Sequence, residues 1–411
     1  MIEWIIWSVS FISLYLGIFW LHVINMKEAP KKDNTYFPKV SVVVPARNEE
    51  KGLPKTINSL VKLNWPKDKL EILIVDHDSI DKTAHVAKEL INTYPGFDIR
   101  LIHRDHEPWH IKSHSFNEGL KNATGEFVAC VDADTVVQSN CFSEMIPEFQ
   151  EEKVGAVIST IKVTDPKNIY EKIQHLEYLF ATFARSLMSK IDTLHVTPGA
   201  LSIYRKRLFD ELGPFDENNV TEDLEMAMRL RYHGYKVRLA IESVTYTKVP
   251  DAFCILWSQR VRWFRGFIYN NIKYKKMMMS KEHGMMGRFQ YPLNFISITT
   301  IIVMFTLLSY EAIRRIIQNI VKFSTIGWEF FAFQMPTVKQ MILNLNINIV
   351  FPIVISFLIA LFIYHLSHKR LNERWRYPTA LFAYLTVYPL LRSMHWMTAI
   401  YKETFRLKKK W

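Results

Sequence analysis

From Lys39 to about Arg288 the chain alternates short, β-rich apolar runs with stretches of helical periodicity. "KVSVVVPA" is the first run, and an amphipathic helix is expected after it over Lys51–Leu63, stopped by Pro66. "LEILIVDHDS" reads as a strand, "KTAHVAKELINTY" as a helix, "DIRLIHR" as a strand, "KSHSFNEGLKNA" as a helix and "GEFVACVDAD" as a strand. Parallel neighbours need a long crossover, and strand–helix alternation at this spacing supplies one. The prediction is an α/β domain on a mostly parallel, Rossmann-like sheet. Ligands of such sheets bind beyond the carboxyl ends of the strands. Asp76 and the pair Asp132 and Asp134 stand at those ends, so their chemistry should share one cleft.

Apolar residues concentrate at the two ends of the chain. Trp4–Ile24 holds about twenty residues without a formal charge, enough to cross a hydrocarbon core of ~30 Å. A cleaved signal peptide is the alternative, but the start carries Glu3 and the end is bulky, so an uncleaved anchor is expected. Tyr291–Tyr310 and Ile347–Leu366 read as further spans. Tyr377–Tyr401 is weaker, because Pro389, Arg392 and His395 are costly in lipid, and it spans, bends back or lies at the interface. Roughly two to four C-terminal spans fit this pattern. Tyr310–Phe323 is amphipathic and basic and is expected on the membrane surface. Lys27, Lys31 and Lys32 follow the first span and "SHKRLNERWRY" follows the third, which places the middle region in the cytoplasm. The division is then an anchor over 1–26, a cytoplasmic domain over 34–288 with an interface helix near 253–270, and a membrane region over 289–411.

The net charge of +12 is accounted for by basic residues facing anionic lipids, which leaves nucleic acid without support as a partner. Cys130, Cys141 and Cys254 have neither zinc spacing nor disulfide logic.

Three motifs carry candidate chemistry. In "VDADT", Asp132 and Asp134 offer oxygen ligands to a hard divalent cation, although a polar turn explains them equally well. In "VTEDLEM", Thr221 suits a helix cap, and Glu222 and Asp223 favour the helix dipole, which keeps Asp223 ionised as a general base must be. In "WSQRVRWFRGF", Gln259, Arg260, Arg262 and Trp263 lie on a helix of the kind that rests on a membrane. Arg260 or Arg262 can still offer planar donors to a diphosphate, and Trp263 an apolar face to a sugar.

The ordered set "VVVPARNEE", "LIVDHDSIDKT", "VDADT", "VTED" and "QRVRW" resembles the membrane-embedded family-2 glycosyltransferases, which include cellulose, hyaluronan and poly-N-acetylglucosamine synthases and ceramide glucosyltransferases. The likeness runs from about Lys39 to Phe267. It implies an α/β GT-A glycosyltransferase domain flanked by transmembrane helices, a nucleotide-sugar donor (a UDP-sugar first), Mg²⁺ or Mn²⁺, and a polysaccharide or lipid acceptor. Position by position, it implies that Asp76 contacts the nucleoside, Asp132 lies near the ribose and diphosphate, and Asp134 ligates the metal. Asp223 becomes the base, with Glu222 beside it, and Gln259, Arg260, Arg262 and Trp263 border diphosphate and acceptor. The chain departs from the pattern where "DDGS" becomes "DHDS", through His77 and Asp78, and where Ile111 replaces a glycine before Lys112, a residue still able to approach the diphosphate. A growing polymer is the acceptor first expected, with Tyr291, Arg392 and Trp396 lining a channel or forming an interfacial belt. A non-catalytic scaffold is the reading from another class.

His106, Glu107 and His110 spell H-E-x-x-H, a zinc signature when helical. Pro108 lies between the histidines and disfavours the helix, so the stretch is expected to shape the donor pocket instead, with Trp109 or His110 against nucleotide or acceptor.

Overall fold

In the computed structural model, residues 2–27, 35–104, 112–328 and 347–407 are described. The loop carrying His106–His110 and Ile111 lies outside them. The helices are α1 (Ile2–Asn25), α2 (Leu53–Leu60), α3 (Thr83–Thr93), α4 (Lys112–Asn122), α5 (Cys141–Met145), α6 (Ile169–Lys190), α7 (Arg207–Leu212), α8 (Glu222–Tyr232), α9 (Phe253–Lys273), α10 (Tyr291–Ile326), α11 (Ile347–Arg370), α12 (Pro378–Thr386) and α13 (Tyr388–Thr404). The strands are β1 (Val40–Ala46), β2 (Leu70–His77), β3 (Asp98–Arg104), β4 (Phe127–Cys130), β5 (Val136–Val137), β6 (Val154–Val163), β7 (Ser202–Arg205) and β8 (Lys236–Thr247).

All the strands form one sheet in the order β3-β2-β1-β4-β7-β6-β8-β5. The half read from sequence, β3-β2-β1-β4, is parallel throughout. The other half is mixed: β7 runs antiparallel to β4 and β6, β6 is parallel to β8, and β5 is antiparallel to β8. The near-continuous burial of β1 and β2 follows from helices covering both faces. One core joins β1, β2 and β4 to α2 and α5; a second lies on the other face against α4 and α8.

The apolar ends form helices, with one departure from expectation. Tyr310–Phe323 is not a separate surface helix. It continues α10 without a break, and 36 residues at ~1.5 Å each give a rod of about 54 Å, longer than a ~30 Å hydrocarbon core. Tyr377–Tyr401 does not form one span, because Val387 separates α12 from α13, with Pro389 in the first turn of α13. Among the described residues, the helices long and apolar enough to cross a membrane cover Trp7–Asn25 and Met286–Ile326. Lys190 ties α6 to the end of α1 by donating to the carbonyls of Ile24 (3.2 Å) and Met26 (3.0 Å).

Of the proposed channel residues, Tyr291 and Trp396 pack inward, and Arg392 is exposed. Tyr291 is buried and its hydroxyl donates to Asn271 O. Trp396 stacks on Phe264 of α9 at 4.3 Å between centroids, and Arg392 lies 5.9 Å from the same ring. Tyr291 and Trp396 thereby join α10 and α13 to α9.

Candidate active site

The carboxyl ends of β1, β2 and β4 open on one side, and the loops there are knitted together. Ile80 N–H donates to Asn48 Oδ1 (2.9 Å), and Asn48 N–H to Ser79 Oγ (3.0 Å). Asp78, where the family pattern has glycine, keeps a left-handed backbone at φ 49°, a conformation that aspartate tolerates better than most residues. Asp76 is buried at the end of β2. Its Oδ2 lies 3.2 Å from His103 Nδ1, while Oδ1 has no hydrogen-bond partner among the described residues.

The turn after β4 brings Asp132 and Asp134 forward. Asp132 N–H donates to Gly199 O (3.1 Å), and its carboxylate pairs with Lys112 Nζ at the start of α4. A Cβ on Gly199 would lie 2.6 Å from Lys112 Nζ, so a side chain there would shift the ammonium from its present place. Burial alone would lower the Lys112 pKa, but Asp132 and then Glu222 raise it, keeping the ammonium charged.

Burial, and then the charge of Asp132, push Asp134 up to about 6. Glu49, after β1, is pushed up to about 6 by burial and then by Asp134. Carboxylates that raise one another in this way, with hard oxygen donors, fit a divalent cation. No group of three or more His, Cys, Asp or Glu able to hold a metal occurs among the described residues. Further ligands would therefore come from a bound diphosphate and water. Glu49 was missed in the sequence, where the acidic end of "ARNEE" reads as a solvated turn.

Glu222 and Asp223 open α8. Thr221 stands at the cap position, but its side chain does not cap the helix; its hydroxyl is held instead by Asn270 Nδ2 (3.1 Å) and Asn219 Oδ1 (3.2 Å). The capping expectation therefore fails, because the hydroxyl joins α8 to α9. Asp223 Oδ1 accepts from Leu224 N–H at 2.7 Å, and Asp223 O from Thr197 Oγ1 at 2.6 Å. Burial, then Asp223, raises Glu222 to about 7. Burial raises Asp223 too, opposed by the Leu224 N–H, Lys112 and Arg262.

The α9 motif divides. Arg262 reaches the cleft, donating to Val220 O (2.9 Å) and lowering the carboxyls of Glu222 and Asp223. Arg260 corrects the diphosphate expectation. Its guanidinium is fully buried, pairs with Glu177 of α6 (2.6 and 3.1 Å), takes in Gln259 Oε1 and lies 4.2 Å over the Trp263 ring. Glu177 also accepts from Tyr388 OH at 3.0 Å. Arg260 is thus committed to holding α6, α9 and α13 together.

Residues 38–266 match the family described as "Glycosyltransferase like family 2". The poly-beta-1,6-N-acetyl-D-glucosamine synthase of Staphylococcus epidermidis is 26% identical over 374 residues, spanning 86% of this chain and 84% of that protein. The beta-monoglucosyldiacylglycerol synthase of Nostoc sp. is 28% identical over 284 residues, 68% of this chain and 60% of that protein. A mannosyltransferase from Pyrobaculum calidifontis, solved with GDP-Man and Mn2+, superposes over 99% of this chain and 100% of its own at a TM-score of 0.67 and 18% identity. That likeness bears out the α/β GT-A fold.

Proposed function

The chain belongs to the family-2 glycosyltransferases, and from that we propose that it moves a sugar from a nucleotide-sugar donor to a polysaccharide or lipid acceptor held at the membrane. The observation that carries this is the convergence of Asp76, Lys112, Asp132, Asp134 and Asp223 on the carboxyl side of one sheet. In this reading Asp76 receives a base N–H on its unpartnered oxygen, and the donor is a UDP-sugar first. Asp134 and Asp132, with Glu49 behind them, hold Mg²⁺ or Mn²⁺. When bound, that cation offsets the charge of the leaving diphosphate.

Lys112 and Arg262 add fixed positive charge beside the leaving group, and Gln259 and Trp263 border the donor. Asp223 takes the proton of the acceptor hydroxyl. The new bond forms from that oxygen to the anomeric carbon as the bond to the phosphate oxygen breaks, and the electron pair leaves with the diphosphate. One base and in-line attack invert the anomeric configuration. Glu222 competes with Asp223 for a proton and sets the pH at which the base is free. The proposed organisation is an anchor over 1–26, a cytoplasmic catalytic domain over 34–288 and a membrane region over 289–411.

A lipid acceptor is the reading favoured by a specific observation, the apolar lining, among the described residues, of a cavity between α1, α6 and α11. The test is to offer UDP- and GDP-sugars with Mn²⁺ to membranes containing the protein and to determine product mass and linkage. Turnover of no donor by protein shown to be folded would overturn the transferase reading. A polymer ladder would support the polysaccharide branch, and a single sugar on an extractable lipid the other.

A further inference from the structure

Helix α6 faces two unlike environments. Phe180, Phe183, Ala184 and Leu187 line a cavity of about 490 Å³, closed on its other sides by residues such as Gly17 of α1 and Ile359 of α11. Among the described residues, every side chain around it is apolar. Such a space offers water or sugar no hydrogen bond and accepts hydrocarbon. Because α1 is long and apolar enough to cross a membrane, the cavity is within reach of bilayer lipid.

Gln174, Glu177, Tyr178, Ala181 and Arg185 form a second stripe on α6, at the three- and four-residue spacing of one helix side. The first part of this stripe is committed. Gln174 Nε2 donates to Pro250 O (2.7 Å), and Glu177 holds Arg260 and Tyr388. The second part is not. Among the described residues, the Tyr178 hydroxyl and the Arg185 guanidinium make no hydrogen bond or ion pair.

Arg185 is half-buried and lies within the field of Tyr178, Asp223 and Glu177. Burial still pushes its pKa down, so these groups do not fully offset its lost hydration. A guanidinium short of compensating charge, beside the base, suits an anion with planar oxygens. At about 100° per residue, Ala184 and Ala181 stand on the facing edges of the two stripes and leave a low shoulder between them.

We propose that the acceptor is a phosphate-bearing lipid, with its hydrocarbon in the cavity between α1, α6 and α11 and its phosphate held by Arg185 and Tyr178. Its nucleophilic hydroxyl is then presented to Asp223. This inference rests on the lipid-acceptor reading of the same site and adds the charge of the head group and the side from which it arrives.

The test measures lipid binding directly. Full-length protein in detergent is titrated with dioleoyl phosphatidylglycerol and, separately, with dioleoylglycerol, and bound lipid is counted by native mass spectrometry. A charge-assisted hydrogen bond predicts a preference of about tenfold or more for the phosphate-bearing lipid. Arg185→Gln should abolish that preference, Arg185→Lys should restore part of it, and Tyr178→Phe should reduce it without disturbing the fold. Ala184→Leu, which narrows the cavity, should weaken both lipids alike, an effect that loss of charge cannot produce.

Equal binding of the two lipids by the wild type, or a preference that survives Arg185→Gln, overturns the proposal. Donor turnover separates it from the reading beneath. Protein that consumes a nucleotide sugar but binds both lipids equally removes this subsite alone. Protein with the expected lipid pattern that consumes no donor removes the transfer reaction and leaves the lipid site standing.

Discussion

Replacing Asp223 by asparagine should change rate and stability in opposite directions, and both follow from the pair it forms with Glu222. General-base help is worth ~10²–10⁴-fold, or about 3–5 kcal/mol of barrier. Transfer should fall by that factor while donor binding stays, because Lys112, Asp132 and Asp134 are untouched. The stability effect comes from Glu222, raised from 4.5 to about 7 by burial first and by Asp223 second. A folded carboxyl with a raised pKa keeps a proton that the unfolded chain releases. Stability therefore falls as pH rises from about 4.5 through about 7. Above that window the penalty is about 3 kcal/mol, at 1.36 kcal/mol per pH unit.

Asparagine at 223 removes the second cause and leaves the first, so the variant should melt higher than the wild type at about pH 8 and nearly level with it at about pH 4. The wild type should also lose transfer on acidification at a pH above that of a free carboxyl, as Asp223, raised by burial, becomes protonated. The assay is a melting curve in detergent at each pH, beside initial transfer rates. A variant that keeps more than about a tenth of wild-type transfer, or whose melting temperature tracks the wild type at every pH, would refute the pairing.

Asp134→Ala should weaken the Mn²⁺ dependence of donor affinity in calorimetry, and in the wild type that dependence should fade as pH drops through about 6, where the Asp134 carboxyl takes up its proton. An unchanged metal titration would count against this role. Gly266→Ala places a Cβ against the Thr221 side chain; it should cost transfer through the displaced α8 start while circular dichroism stays the same, and wild-type rates would show that α9 yields there. Arg260→Ala leaves the half-buried Glu177 with Tyr388 but without its ion-pair partner and should destabilise the protein by about 1–3 kcal/mol; a melting point near the wild type, together with a large rise in donor KM, would return Arg260 to the diphosphate.

Much of this was legible because local pattern and tertiary position agree in the parallel half of the sheet. β1, β2 and β4 are buried on both faces, so each appears as a mainly apolar run, broken in β1 by Ser41 and in β2 by Glu71, and its carboxyl end must meet solvent or ligand. Asp76, Asp132 and Asp134 could be placed on that ground alone. The other half resisted, because β7 inserts antiparallel between β4 and β6, and no short-range spacing encodes a pairing that joins Cys130 to Ser202. The break at Val387 was similarly hidden: proline in a first turn can begin a helix as readily as end one.

The limit is sharpest in "QRVRW". Arg260 and Arg262 are two residues apart, of one type and on one helix, and the sequence gives no ground for separating them. What separates them is Glu177, 83 residues away on α6, which Arg260 meets and Arg262 does not. Glu177 in turn is fixed by Tyr388 of α13, 211 residues further on. The motif therefore combines a side chain at the cleft with the clamp that binds α9 to α6 and α13. A substitution in α13 that loosens Tyr388 should therefore reach Asp223 through α9 without touching any residue of the cleft.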